Sequence, residues 1–441
     1  MIDYIINIHF KKFISYQQEI KFSKGINIIY GESGVGKSVF LSCLENPVYR
    51  HDQNFEIDVI VEDPSIYRIV QNPDQQILTP TVQNEITFTS ECSGLKPIEV
   101  KKILTAILKK LPSTIDPYMN PGFLSGGEKE LLNLTTSLNT KPDILLIDDG
   151  LSFLSDVNKN LAISWLREWI DNSNGIVIWV SSEQNDLKYG DKTWELSLNS
   201  FSSLKKQNNV SYNEILIPPG YLNLSFLNLC FHYEQSRNIY SNLTLSIKNC
   251  RSFGLIGENG SGKTTLAGMC FGYLKPQIGQ IKISVNGNDK PLIGYADQFP
   301  EYLLQLKTPE EFIKQLTENG IFNVELDKTF NNRLRRFNIY WDRIKNIQGI
   351  HLPWAVLRIF IIVALAHSKF DILILDEPTF GLGWNQRKKL RLFLRECMTN
   401  IHFIIVSHDQ LFIQSICDQI LDLDNIDTSE FQGEQRQKAK T

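Results

Sequence analysis

The chain has little that would tie it to a polyanion, a disulfide framework or the interior of a bilayer. Its seven cysteines (Cys43, Cys92, Cys230, Cys250, Cys270, Cys397, Cys417) are odd in number and scattered, with no CxxC pair. That argues for reduced, intracellular thiols and against a zinc site. There is no basic excess: the formal charge is −4, so no positive field advertises a nucleic-acid partner. Long hydrophobic runs are missing too. The longest follows Arg358 and stops at His367, well short of the roughly 18–20 residues that span a membrane. The opening MIDYIINIHFKKF puts its lysines after the apolar residues and has no small-residue cleavage site, unlike a signal peptide. By its own residues, then, the chain is expected neither to cross a membrane nor to bind nucleic acid.

What is present is a sequence written twice. At 441 residues the length suits two domains of about 200 each. GESGVGKS (Gly31–Ser38) returns as GENGSGKT (Gly257–Thr264), with Lys37 and Lys263 226 positions apart (263 − 37). DILLIDD returns as DILILDE, Asp148 and Asp376 standing 228 apart (376 − 148), and WVSSE returns as IVSHD, Ser182 and His408 again 226 apart (408 − 182). One duplication, essentially free of insertions, accounts for all three offsets, and its period is a whole domain. The expected organisation is a first domain over 1–202, a polar, proline-closed linker over 203–219, a second domain over 220–427 and a polar tail over 428–441.

Each copy places its glycine-rich motif between an apolar strand (GINIIY, SFGLI) and a helix, and ends a buried strand on an acidic pair. Continuous apolar strands of this kind belong to parallel sheets covered on both faces. The fold class is therefore α/β, a nucleotide-binding domain present twice. Chemically, GxxxxGK[ST] lets successive backbone N–H groups curl around a phosphate at a helix N-terminus. In the first copy these are Gly31, Glu32, Ser33, Gly34, Val35, Gly36, Lys37 and Ser38. In the second they are Gly257, Glu258, Asn259, Gly260, Ser261, Gly262, Lys263, Thr264 and the following Thr265. The lysines would reach β- and γ-phosphates of ATP, and Ser38 and Thr264 would ligate Mg²⁺.

LSGGE (Leu124–Glu128) offers a hydroxyl and close N–H groups from Ser125, Gly126 and Gly127 to a γ-phosphate. Ser125 with Glu128 three residues on is also a capping box, and both readings can hold at once. PIEVKKILTAILKKL is expected to be a helix with a core-facing apolar stripe and a solvated lysine face.

Phosphate loop, glutamine loop, LSGG signature, acidic strand and VSHD switch, in that order and doubled, resemble the ATP-binding cassette (ABC) ATPases over nearly the whole chain. The resemblance implies two P-loop NTPase domains in tandem, each with a RecA-like parallel-sheet core and a helical subdomain. It further implies head-to-tail pairing of the two within the chain, each ATP lying between one domain's phosphate loop and the other's signature. The segments QNPDQQILTPTVQNEITF (Gln71–Phe88) and DQFPEYLLQLKTPEEF (Asp297–Phe312) are similar to those of the ATPases of energy-coupling factor (ECF) importers. That finer resemblance implies an integral membrane transport component and a membrane-embedded substrate-binding component as partners, at the cytoplasmic face of a cell membrane. The rival is a mechanical ABC ATPase acting on ribosomes or nucleic acid. Such proteins carry arms or insertions, for which spacings of 88 residues from Lys37 to Ser125 and 89 from Lys263 to Leu352 leave no room.

The two copies differ where the resemblance matters most. Counted back from the helix before the second acidic strand, with Arg358 on a usual signature-helix arginine, LSGGQ falls on His351, Leu352, Pro353, Trp354 and Ala355. Proline lacks a donor and tryptophan bars close backbone approach, so the second signature is broken. The first copy has Asp149 at the catalytic-glutamate position and Ser182 at the switch histidine. Paired head to tail, one composite site joins Lys263, Thr264, Gln298, Asp376, Glu377 and His408 to Ser125–Gly127 and lacks nothing. The other joins Lys37, Ser38, Gln71, Asp148, Asp149 and Ser182 to the broken signature. By the resemblance, Glu377 would polarise the attacking water, His408 would hold the γ-phosphate, and Asp376 and Gln298 would organise Mg²⁺ and water. Gln71 and Asp148 would be their counterparts in the degenerate site. Tyr233 is a candidate to stack on adenine, and equally an ordinary strand aromatic. In the first copy Phe10, Phe13 and Tyr16 leave that position open.

Overall fold

A computed structural model describes residues 3–10, 17–46, 55–59, 64–204, 211–233, 238–258, 260–324 and 327–425. Asn259, Phe13, Tyr16, residues 205–210 of the expected linker and the tail from 426 lie outside them. The chain divides into two units, residues 1–208 with 381–384 and residues 209–380 with 385–441.

In the first unit a six-stranded sheet runs in the order Ile66–Ile69, Ile144–Asp148, Ile176–Ser181, Gly25–Tyr30, Lys192–Leu196, Phe201–Ser203. The first five strands are parallel and the last pairs antiparallel. Gly25–Tyr30, Ile144–Asp148 and Ile176–Ser181 are buried at every position, which is why they read as unbroken apolar runs. A second, antiparallel sheet of Gln17–Phe22, Tyr4–Phe10 and Phe55–Val59 alternates buried and half-buried residues along Tyr4–Phe10, as a sheet covered on one face must.

The second unit repeats the plan. Its parallel sheet has the order Ile293–Ala296, Ile372–Asp376, His402–Val406, Ser252–Ile256, Gln419–Asp422. Its antiparallel sheet comprises Asn238–Cys250, Leu222–His232 and Ile278–Val285. In both units the strand carrying the phosphate loop comes early in the chain yet sits inside the sheet, so the loop emerges at the carboxyl ends of the parallel strands. That is where open α/β sheets bind ligands.

Helices fill the stretch between glutamine loop and acidic strand: Val82–Cys92, Pro97–Lys110 and Gly126–Asn139 in the first unit, and Pro309–Glu318, Asp327–Arg336 and Trp354–Ala366 in the second. On Pro97–Lys110 the apolar stripe is only half covered. Leu104, Ile107 and Leu108 pack on the core and Val100 is buried, but Ile98 remains 62% exposed. Residues 211–219 of the expected linker are fastened to the second unit. Arg391 lies 4.8 Å from the Tyr212 ring centroid and donates to the Asn213 carbonyl at 2.7 Å, while Arg251 donates to that of Pro219 at 2.6 Å.

Candidate functional site

Both phosphate loops close the same way. Gly36 (φ 97°) and Gly262 (φ 99°) begin the helices Lys37–Glu45 and Lys263–Phe271 in the left-handed conformation that glycine adopts without penalty. Each lysine is buried and curls back on its own loop. Lys37 Nζ donates to the carbonyl of Gly31 at 2.8 Å, and Lys263 Nζ to those of Gly257 and Glu258 at 2.8 Å each. The ammonium groups are thus held over concave backbone at a helix N-terminus, an arrangement suited to a polyphosphate.

Each acidic pair ends the strand beside its unit's switch strand, and both second acids adopt φ values that side chains other than glycine rarely take: 49° at Asp149 and 48° at Glu377. The strain turns each carboxylate toward the adjacent switch strand, but the two then diverge. Glu377 accepts at Oε2 from the Ser407 hydroxyl at 2.9 Å and from His408 Nδ1 at 2.9 Å, and at Oε1 from the His408 N–H at 3.0 Å. Burial alone would raise its pKa, but His408, then Lys263 and Ser407, bring it below the usual carboxylate range. Glu377 is therefore ionised and acceptor-only, which fixes His408 Nδ1 as the donor.

Asp149 is as deeply buried but has different partners. It accepts from Ser182 N at 2.6 Å and Ser182 Oγ at 2.8 Å, with Lys37 Nζ at 3.8 Å. Burial pushes its pKa up against the opposing pull of Lys37. Ser182 Oγ in turn receives a hydrogen bond from Lys37 Nζ at 3.0 Å. Lysine, serine and aspartate make a closed circuit where the other unit has a histidine with its second ring nitrogen still in hand.

The first acids differ as sharply. Asp376 is 3% exposed, its Oδ1 has no partner among the described residues, its Oδ2 accepts from Tyr295 OH at 3.4 Å, and the Thr264 hydroxyl lies beside the carboxylate. Burial and the adjacent Glu377 push its pKa up to about 7. An orphaned carboxylate oxygen beside a threonine hydroxyl fits a hard, oxygen-seeking cation such as Mg²⁺. Asp148 is already engaged: Ser38 Oγ donates to Oδ1 at 3.0 Å and Arg68 Nη2 to Oδ2 at 2.5 Å. Both carboxylate oxygens are thus taken, one of them by a guanidinium whose charge opposes a cation, so the first unit's residues do not fit Mg²⁺ as they stand.

Ser125 caps the helix Gly126–Asn139 in a full capping box. Glu128 Oε2 accepts from Ser125 N at 2.9 Å and from Ser125 Oγ at 2.8 Å. In the second unit the corresponding helix starts at Trp354 with Pro353 as its cap, and Pro353 lies 23 residues before Asp376 as Ser125 lies 23 before Asp148 (376 − 353; 148 − 125). This moves the expected register by one: Leu352, Pro353, Trp354, Ala355 and Val356 stand where Leu124–Glu128 stand. The helix start decides it, because counting back along an apolar helix cannot detect a turn gained or lost at its end. The physical loss is unchanged. There is no cap hydroxyl, and the prolyl nitrogen cannot complete a capping box. Trp354 packs across Phe299 at 6.0 Å between ring centroids and under the Arg358 guanidinium at 5.7 Å.

The same register pairs Arg358 with Glu130, both essentially fully buried. Arg358 donates to Glu301, to the carbonyls of Glu377 and Phe380 at 2.8 and 3.2 Å, and to that of Gln298 at 2.7 Å. Glu130 accepts from the N–H groups of Ser152 and Phe153 at 3.1 and 3.0 Å, and burial holds its pKa well above the usual value. One station thus braces the loop after the acidic strand with an acceptor in one unit and a donor in the other. Gln71 and Gln298 are half-buried just beyond the strands Ile66–Ile69 and Ile293–Ala296. Tyr233, 43% exposed, shares a hydrogen bond with the Thr265 hydroxyl at 3.0 Å, which sets its ring beside the second phosphate-loop helix.

Residues 240–380 match the family model described as ABC transporter, and residues 7–89 match one described as AAA domain. A Bacillus cereus protein provisionally named an ABC transporter ATP-binding protein is 24% identical over 87% of this chain and 81% of its own length. A similarly named protein of Onion yellows phytoplasma is 25% identical over the same shares. Among solved structures, RNase-L Inhibitor aligns over 94% of this chain and 87% of its own at 16% identity, with a TM-score of 0.58. A ribosome-bound archaeal Pelota and ABCE1 assembly aligns over 94% and 76% at 17% identity, with a TM-score of 0.65. Those likenesses are of fold: two P-loop NTPase domains in tandem.

Proposed function

We propose that this chain, an ABC-family ATPase with both nucleotide domains on one polypeptide, hydrolyses ATP at one composite site and holds nucleotide at the other. The intact site would unite the second domain's Lys263, Thr264, Asp376, Glu377 and His408 with the first domain's Ser125, Gly126 and Gly127. The observation that carries this reading is the contrast between the two second acids. Glu377 is ionised and positioned by Ser407 and His408, whereas Asp149 has the serine Ser182 and the ammonium of Lys37 as partners and is held toward its protonated form by burial. An ionised carboxylate with one oxygen shared between two donors and the other receiving only a backbone N–H can accept from a water and orient it for attack. His408 Nδ1 serves Glu377, which leaves Nε2 for a phosphoryl oxygen. Lys263 and the N–H groups of its loop would bind the phosphates, and the signature donors would meet charge developing in the transition state. Mg²⁺, held by Asp376 and Thr264 with Gln298 near, would supply charge neutralisation across the β- and γ-phosphates.

Steady-state ATPase assays test the division. Glu377→Gln should lower turnover by on the order of 10²–10³, the weight of one preorganised contact, while Asp149→Asn should change it little. Equal losses from both would end the one-site reading.

The finer proposal is that the ATPase powers an ECF-type importer of a vitamin or metal ion. It rests on the glutamine-loop segments and on relatives named as transporter ATP-binding proteins. No helix among the described residues is long and apolar enough to cross a membrane, so a separate membrane component would be required. Gentle solubilisation of native membranes and capture by a C-terminal tag should bring down a polytopic membrane protein with a second, substrate-binding one. Recovery with ribosomes instead would favour the mechanical ATPase reading, whose support is the fold shared with RNase-L Inhibitor. The chemistry of the Glu377 site is the same under either reading.

A further inference from the structure

The two units place different residues beside their first acids, and the strand register shows that the difference is positional. Ile66–Ile69 pairs with Ile144–Asp148 from Ile66↔Ile144, and Ile293–Ala296 pairs with Ile372–Asp376 from Ile293↔Ile372. Two residues along each edge strand stand Arg68 in the first unit and Tyr295 in the second. Tyr295 brings a neutral hydroxyl to within 3.4 Å of Asp376, whose other oxygen has no partner among the described residues. Arg68 brings a permanent charge: arginine does not lose its proton in proteins.

That guanidinium is anchored on several sides. Nη2 reaches Asp148 Oδ2 at 2.5 Å and the Ser38 carbonyl at 3.2 Å, and Nη1 reaches Ser42 Oγ at 2.8 Å and Glu45 at 3.5 Å. The Arg68 side chain is 14% exposed and that of Asp148 5%, so solvent screens the pair weakly. Ser38 and Asp148 are the two oxygen donors that correspond to Thr264 and Asp376. A divalent ion placed between them would meet a fixed positive charge already bonded to the same carboxylate.

We propose that the first domain's phosphate loop takes its nucleotide without a divalent cation, the Arg68 guanidinium supplying at Asp148 the positive charge that Mg²⁺ would supply at Asp376. This rests on the proposed binding of nucleotide at both loops and adds that the two differ in metal requirement. The absence of a metal there also accords with a site that holds and does not turn over. Arg68 is a positioning and charge-supplying residue in this account.

The experiment uses the full chain, with photoreactive 8-azido-ATP as the nucleotide and Mn²⁺ as a paramagnetic substitute for Mg²⁺. Labelled peptides are assigned to each half by mass spectrometry, with Mn²⁺ or with EDTA, and bound Mn²⁺ is counted by electron paramagnetic resonance. The expected result is label in both halves with Mn²⁺, label in the first half alone with EDTA, and a single Mn²⁺ per chain. Arg68→Tyr, which copies the second unit, should raise the Mn²⁺ count to two and make first-half labelling depend on the metal. Label in the first half that vanishes with EDTA, with two Mn²⁺ per wild-type chain, overturns the inference and leaves the two-nucleotide reading standing. No first-half label under any condition overturns both. The wild-type arms decide the matter even if the variant does not fold.

Discussion

Arg358 is where one side chain most clearly holds the second unit's site in shape. It is buried to 0% exposure with Glu301 at 2%, and its donors also satisfy the carbonyls of Gln298, Glu377 and Phe380. Arg358→Met would keep much of the volume and remove every donor. Glu301 would then be a buried carboxylate without its partner, and breaking such a pair costs about 3–5 kcal/mol. Three carbonyls would lose donors as well, so the upper end, about 5 kcal/mol, is the expected loss. For a unit of this size 1 kcal/mol moves the midpoint by roughly 2–4 °C, which gives a drop of roughly 10–20 °C. The assay is calorimetry on the full chain, following the second unit's own transition, since one free energy does not describe a two-domain unfolding. Arg358→Met with Glu301→Gln should recover part of the loss, because the orphaned charge is gone. Turnover should fall in both variants, as the backbone of Glu377 loses its brace. A midpoint within about 2 °C of wild type, or a double variant no more stable than the single, would refute the reasoning.

Ser125→Ala should cost about 1 kcal/mol through the lost cap and lower turnover on the order of 10²-fold, whereas Pro353→Ala should leave turnover unchanged; equal effects on ATPase rate would contradict the assignment of signatures. His402 is 2% exposed, accepts from the Tyr221 N–H at 3.1 Å, and burial, with Arg251 beside it, holds its pKa below the ordinary value. The unfolded chain therefore binds the proton first as pH falls through about 6.5, so stability present above that value is lost below it. The second unit's melting point should drop between about pH 7.5 and 5.5, and less so in His402→Gln; parallel pH profiles would count against it. Lys263→Ala should abolish turnover while Lys37→Ala retains part of it, and the same assay with the two outcomes reversed would invert the proposed division of labour.

The landmarks were legible in the sequence because their chemistry tolerates few residue types. A left-handed turn at Gly36 and Gly262 needs glycine, and strands buried on both faces must read as ILLID and ILILD. Arg68 was not legible. In sequence it is one basic residue in SIYRIVQ, and only the pairing of its strand, Arg68 opposite Leu146, brings its side chain to Asp148 two residues on; aligning the two copies residue by residue, with Tyr295 opposite, would have flagged it. The role of Trp354 was hidden for a related reason, since its contact with Phe299 is made across the fold. The off-by-one signature arose because a helix of WAVLRIFIIVALA carries no internal mark of where it begins. The amphipathic pattern of Pro97–Lys110 predicted the helix and its inward stripe, but periodicity could not say how much of that stripe a neighbour would cover.

The exchange of acceptor for donor at Glu130 and Arg358 bears on how two such copies stay different. Repeated segments in one gene can overwrite one another by recombination, which would erase the asymmetry between the halves. Here a transplanted helix would arrive with the wrong kind of partner. Arg358 set among the N–H groups of Ser152 and Phe153 would face donors with donors, and Glu130 set among the carbonyls of Glu377 and Phe380 would face acceptors with acceptors. Helix and loop would have to move together to be tolerated, and together they carry each half's own acid, Asp149 or Glu377, with them. The fold thus makes each half a poor donor to the other, and specialisation, once begun, protects itself.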